Sequence, residues 1–186
     1  EDGYVLRFDY TAKSGKRQIR SVVDPPVYEA VAELKRRTRG RELLAYEVDR
    51  TWFDVKSADI NAYIKEATGG DFSAKDFRTW SGTVLAAVAL AVSAPAATSR
   101  TARKRAITRA IKEVAHYLGN TPAVARASYI DPRVFDRFES GVTIGGALTR
   151  LGDVGELGEP AFQGSVEEAV LDLLEDEKSP ALEKVA

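Results

Sequence analysis

The 186-residue chain has no cysteine, no methionine and one histidine. Without cysteine it has no disulfides, thiolate zinc sites, iron–sulfur clusters or cysteine nucleophiles. A single histidine, His116, excludes a multi-histidine metal site built from this chain alone. It also leaves a Ser-His-Asp triad one residue to draw on, set in a helical pattern beside Tyr117. No stretch approaches ~18 consecutive apolar residues, so no membrane span is expected. The opening Glu1-Asp2-Gly3 has neither the basic nor the apolar region of a signal peptide. It also lacks Met and runs at once into a strand pattern, so the chain is expected to be a piece of a longer protein. Missing too are a Gly-x-x-x-x-Gly-Lys-Ser/Thr phosphate loop, a Gly-x-Gly-x-x-Gly dinucleotide turn and a Gly-x-Ser-x-Gly elbow.

What is present is a composition of 44% hydrophobic and 30% charged residues, enough for one sizeable core. The formal charge of −1 hides a division. Residues 151–186 hold ten acidic and two basic residues, a net of −8, which leaves 25 basic and 18 acidic residues, a net of +7, in 1–150. A basic body with an acidic tail fits a nucleic-acid binder, although ordinary solvated faces have the same composition.

Residues 4–10 and 16–23 alternate aromatic and β-branched side chains around Thr11-Ala12-Lys13-Ser14-Gly15, which predicts a β-hairpin. Asp24-Pro25-Pro26 starts a helix carrying Val27, Ala30, Val31 and Leu34, and the basic run Lys35–Arg41 ends it. Leu43 to Val55 is ambiguous, with a short extended segment as one reading. Ser57 is expected to cap a helix closed by Gly69-Gly70, and Ser73 another that runs through Phe77 and Trp80. Val84–Val92 is apolar on nearly all sides and predicts a buried central helix, broken at Ala94-Pro95-Ala96. A long basic helix over 99–118 follows, ended by Gly119. Thr121-Pro122 and Asp131-Pro132 start two more. The Gly-rich stretch 141–164 reads as a linker, and 165–176 as an acidic amphipathic helix.

Three segments carry chemistry. They are Phe8–Lys16 of the hairpin, Lys75-Asp76-Phe77-Arg78-Thr79-Trp80, and Gly119-Asn120-Thr121-Pro122 leading to Ser128-Tyr129. In this order they resemble the catalytic domain of type IB DNA topoisomerases, bacterial poxvirus-like branch, over roughly residues 3–145. The resemblance implies a mainly α (α+β) fold of the topoisomerase/tyrosine recombinase kind with an N-terminal β-hairpin. It sets a catalytic domain at 1–145, lacking the N-terminal part of the full protein, and a linker with an acidic C-terminal helix at 146–186.

The implied chemistry is relaxation of supercoiled double-stranded DNA through a 3′-phosphotyrosyl intermediate, without ATP, metal or other cofactor. The resemblance makes Tyr129 the nucleophile, nine positions after Asn120, which stands where many members have histidine. Arg78 is the guanidinium that grips phosphate oxygens, a task for a group charged at any working pH. Lys13 is the general acid toward the leaving 5′-oxygen, with Lys16 its rival. Lys75, Lys16, Arg100, Arg103, Lys104, Arg126 and Arg133 are candidate DNA contacts, and a solvated helix face is the plain alternative for at least half of the basic residues. A second arginine of the family falls upstream of Glu1, together with the N-terminal domain that closes over DNA, so the isolated chain is expected to cleave poorly or not at all. A monomer without membrane association, in the cytoplasm at the nucleoid, is the corresponding expectation.

Two rivals stand beside this reading. A tyrosine recombinase or integrase shares the chemistry but usually has a His-x-x-Arg box where this chain has Lys75–Arg78. A non-catalytic DNA-binding module would keep the scaffold and lose the reaction.

Overall fold

Alternating strand residues flank Gly15, and the chain pairs there. Strand β1 (Val5–Thr11) runs antiparallel to β2 (Arg17–Val23), with Val5 opposite Val23 and Thr11 opposite Arg17. The structure is a computed structural model describing residues 3–11, 15, 17–38, 42–154, 164–175 and 178–184, of which 151–154 by backbone only. Its contacts divide the chain into two compact units, Glu1–Ser73 and Ala74–Ala186.

In the first unit, Asp24 accepts a hydrogen bond from the Val27 backbone N–H (3.0 Å) and starts α1 (Pro25–Arg36). The ambiguous 43–55 stretch is a second hairpin, β3 (Ala45–Val48) and β4 (Thr51–Asp54). Its turn residues Asp49 and Arg50 both have positive φ, 48° and 64°, as a two-residue turn matching strand twist requires. Arg37, expected only as part of a basic run, donates to the carbonyls of Glu42, Leu43 and Ala45 and lies 4.6 Å above the Trp52 ring. Helix α2 (Ser57–Thr68) follows. Its cap residue is Lys56 rather than Ser57, because the Asp59 carboxylate reaches back to the Lys56 N–H at 2.7 Å. No described residue of this unit is buried.

The second unit holds the core. Helix α3 (Ala74–Ser93) leads through a 3₁₀ turn at Ala94–Ala96 to α4 (Arg100–Leu118), whose cap Ser99 accepts from the Ala102 N–H. Helices α5 (Pro122–Ser128), α6 (Arg133–Glu139), α7 (Gly145–Val154) and α8 (Ser165–Glu175) complete eight α-helices among the described residues, the mainly helical fold expected. By length and composition, Ala74–Ala96 is apolar enough to cross a membrane. Instead Gly82, Thr83, Ala86, Ala87, Leu90 and Ala91 are buried where α3 packs on α4, α6, α7 and α8. That is a core helix of a folded unit.

One expectation for the C-terminal region differs from the structure. The stretch read as a linker contains β5 (Val142–Thr143) and α7, because Ile144 and Ala147 are apolar anchors buried to 0% and 2% exposure. Gly146 serves packing: a Cβ on it would meet the Pro180 carbonyl oxygen at 2.6 Å. Residues beyond 145 pack within the second unit. Helix α8 seats Val166, Ala169, Val170 and Leu173 at 0–2% exposure against the other helices, and β6 (Glu183–Lys184) pairs with β5. Arg133 and Arg137 donate to the carbonyls of Leu174 and Leu173 at its end. Leu173→Ala is therefore expected to destabilise the protein by about 2–5 kcal/mol, the cost of a buried leucine cavity, measured by denaturant unfolding.

Candidate active site

The first turns of α3 present Lys75, Asp76, Phe77 and Arg78 at the surface, and one turn later the same helix enters the core at Gly82 and Thr83. Arg78 Nη2 donates to the carbonyl oxygen of Leu118 at 2.9 Å. Leu118 is the last residue of α4, where carbonyls lack helical partners and carry partial negative charge, so a cation is held there without a carboxylate. The Arg78 guanidinium carbon also lies 5.2 Å from the centroid of the Tyr129 ring, within cation–π range. One hydrogen bond uses only one of its five N–H donors.

Gly119 ends α4 in the left-handed region, φ 70°, and the N–H of Asn120 turns back to the Ala115 carbonyl at 2.8 Å. This Schellman closure fixes where Asn120 begins. The Asn120 side-chain Nδ2 is buried and has no hydrogen-bond partner among the described residues. A buried unpaired donor costs about 1–3 kcal/mol, so this amide is held there without a return in stability. Thr121 accepts from the Val124 N–H and Pro122 occupies the first turn of α5, a short helix that delivers Tyr129 at its C-terminal cap. The half-buried Tyr129 departs from helical geometry, φ −135° and ψ 3°, while its N–H still bonds the Ala125 carbonyl at 3.0 Å.

Arg78 thus touches both the peptide two positions before Asn120 and the ring of Tyr129. Arg78 and Tyr129, from separate helical segments, meet beside the end of α4, two residues before Asn120. Lys13 and Lys16 lie outside the described residues.

The other basic candidates differ in what their side chains do. Lys75, one turn before Arg78, and Arg100 and Lys104, on the first half of α4, are exposed. Arg126 is exposed with its guanidinium 5.0 Å above the Phe135 ring. Arg103 is half-buried and donates to the carbonyls of Ala97 (3.3 Å) and Glu139 (3.0 Å), which ties α4 to the end of α6. Arg133 forms a two-pronged pair with Asp131, Nε to Oδ1 at 3.0 Å and Nη2 to Oδ2 at 2.7 Å. These last two guanidinium groups hold the fold together.

The Arg133 hydrogen bonds hold the Asp131 carboxyl below its ordinary value, against the opposing effect of partial burial. A depressed folded pKa means stabilisation that is present above the unfolded value, near 4, and lost as pH falls through the folded value. Wild type is therefore expected to melt higher than Asp131→Asn at pH 7, with the two curves converging below about pH 4 in thermal denaturation.

Sequence reasoning passed over Gly82 and Thr83. The available signal was a glycine in a helix interior, which costs about 1 kcal/mol against alanine and calls for a packing reason.

The sequence model of the eukaryotic DNA topoisomerase I catalytic core matches residues 1–142. A protein described as DNA topoisomerase 1B, from Acanthamoeba polyphaga mimivirus, is 27% identical over 133 residues. The match covers 68% of this chain and 39% of that protein, so the chain spans about two-fifths of the relative's length.

Proposed function

Because the chain belongs to the family of the DNA topoisomerase I catalytic core, we propose that its full-length protein relaxes supercoiled double-stranded DNA by transient single-strand cleavage. The observation that carries this reading is the Arg78 guanidinium seated between the end of α4 and the Tyr129 ring, two residues from Asn120, whose Nδ2 is unpartnered among the described residues.

In the proposed reaction the Tyr129 phenolic oxygen attacks a backbone phosphorus. A phosphotyrosyl bond forms to the 3′ side and the bond to the 5′-oxygen breaks. The phenol gives up its proton, and the departing 5′-oxygen takes one, from Lys13 by the family resemblance. Negative charge grows on the nonbridging oxygens, where Arg78 and the Asn120 N–H are donors of the right kind. An amide supplies a hydrogen bond but no charge, so Asn120 is a donor and not a proton carrier. Religation reverses the steps. The phosphodiester energy is kept in the covalent link, which removes any need for ATP or a metal. The segments around Arg78 and Tyr129 favour the bacterial poxvirus-like branch.

Lys75, Arg100, Lys104 and Arg126 supply phosphate contacts in this reading, with affinity that falls as salt rises. The test is plasmid relaxation by the full-length protein in chelator and without ATP. Relaxation supports the proposal. Strand exchange between paired sites without relaxation would make the protein a recombinase, and salt-sensitive binding without either would make it a binding module.

A further inference from the structure

The segment that carries Tyr129 is fixed to α3 at successive positions. A Cβ on Gly82 would fall well inside contact distance of the Tyr129 carbonyl oxygen, and 3.3 Å from Leu118 Cδ1. The α3 backbone therefore approaches the Tyr129 peptide as closely as only glycine permits. One residue on, Thr83 is 2% exposed and its Oγ1 accepts from the Asp131 N–H at 3.1 Å while donating to the Thr79 carbonyl at 2.8 Å. Between them the Ile130 side chain is buried to 4% exposure.

We propose that Gly82 and Thr83 are positioning residues for Tyr129: together they form a seat on α3 that sets where the nucleophile stands relative to Arg78. This rests on the function proposed above. Arg78 is one turn N-terminal on the same helix, so α3 acts as a rigid ruler between the phosphate-gripping group and the attacking one. Tyr129 needs such a seat because it sits at a helix cap, where α5 no longer fixes its backbone. A displacement of about 1 Å from in-line geometry can cost about 10²-fold in rate.

The experiment measures single-turnover cleavage at saturating DNA, DNA affinity and thermal denaturation for the full-length protein and three variants. Gly82→Ala is expected to slow cleavage about 10²-fold, although alanine is the better helix former. Thr83→Val, which keeps the shape and removes the acceptor, is expected to slow it about tenfold, by a smaller shift of the same kind. Thr83→Ser keeps the oxygen and is expected to restore the rate to within about threefold, with melting close to wild type. Gly82→Ala and Thr83→Val are expected to melt lower, and DNA affinity to stay close to wild type in all three. If Gly82→Ala does not fold, the Thr83 pair decides. Folded Thr83→Val cleaving at the wild-type rate, or Thr83→Ser failing to rescue, would overturn the seat and leave the function standing. A wild-type protein that forms no covalent adduct would overturn the function reading and the seat with it.

Discussion

Tyr129→Phe is expected to abolish the covalent protein–DNA complex, with a loss of about 10⁴-fold or more in cleavage, while DNA affinity changes by less than about twofold. The size follows from what is removed. Phenylalanine keeps the ring that lies under the Arg78 guanidinium at 5.2 Å, and it leaves the backbone contacts of residue 129 with Gly82 and Ala125 untouched. Only the phenolic oxygen is lost, and the chain has no cysteine to stand in for it. The measurement is a denaturing gel of protein incubated with a nicked substrate from which the 5′-leaving strand escapes, beside a binding titration on the same DNA. Equal adduct from both proteins would remove Tyr129 from the mechanism.

Arg78→Ala is expected to reduce cleavage by about 10³-fold or more, the range seen when a cation that meets transition-state charge is taken away. Arg78→Lys is expected to recover only part of this. A lysine carries the charge, but as a point donor it cannot hold the Leu118 carbonyl and two phosphate oxygens together. Binding should weaken modestly, with the salt dependence falling by about one unit of slope if one phosphate contact is lost. Loss of rate well beyond loss of affinity separates a transition-state contact from a surface cation. A rate that falls only in step with affinity would assign Arg78 to binding alone. The outcome also bears on Asn120, because the Leu118 carbonyl that orients Arg78 is two residues from it.

Much of the site was legible because its punctuation is local. Gly119 closing α4, Thr121 and Pro122 opening α5, and the Lys75–Trp80 segment entering a buried helix are all signals set by neighbours in the chain. What escaped was set by tertiary contact. Gly82 and Thr83 look like ordinary small residues in an apolar helix until the Tyr129 peptide is packed against them. Arg103 and Arg133 read as available cations because a sequence does not show which backbone carbonyls lie nearby. Gly-rich composition suggested a linker over 141–164, yet Ile144 and Ala147 find a core to enter. The 43–55 hairpin was hidden because its turn uses Asp49-Arg50 in place of an Asn-Gly or Asp-Gly pair. The charge asymmetry was read correctly as arithmetic. Even so, the acidic helix α8 turns its apolar side inward and is part of the unit that carries Arg78, Asn120 and Tyr129.

The most direct measurement is to trap the adduct of the full-length protein on a cleavable DNA, digest both components, and identify the modified peptide by mass spectrometry. The expected result is a nucleotide joined through its 3′-phosphate to Tyr129. A linkage to any other residue, or relaxation with no phosphotyrosine at all, would contradict the proposal that Arg78, Asn120 and Tyr129 act on one phosphate.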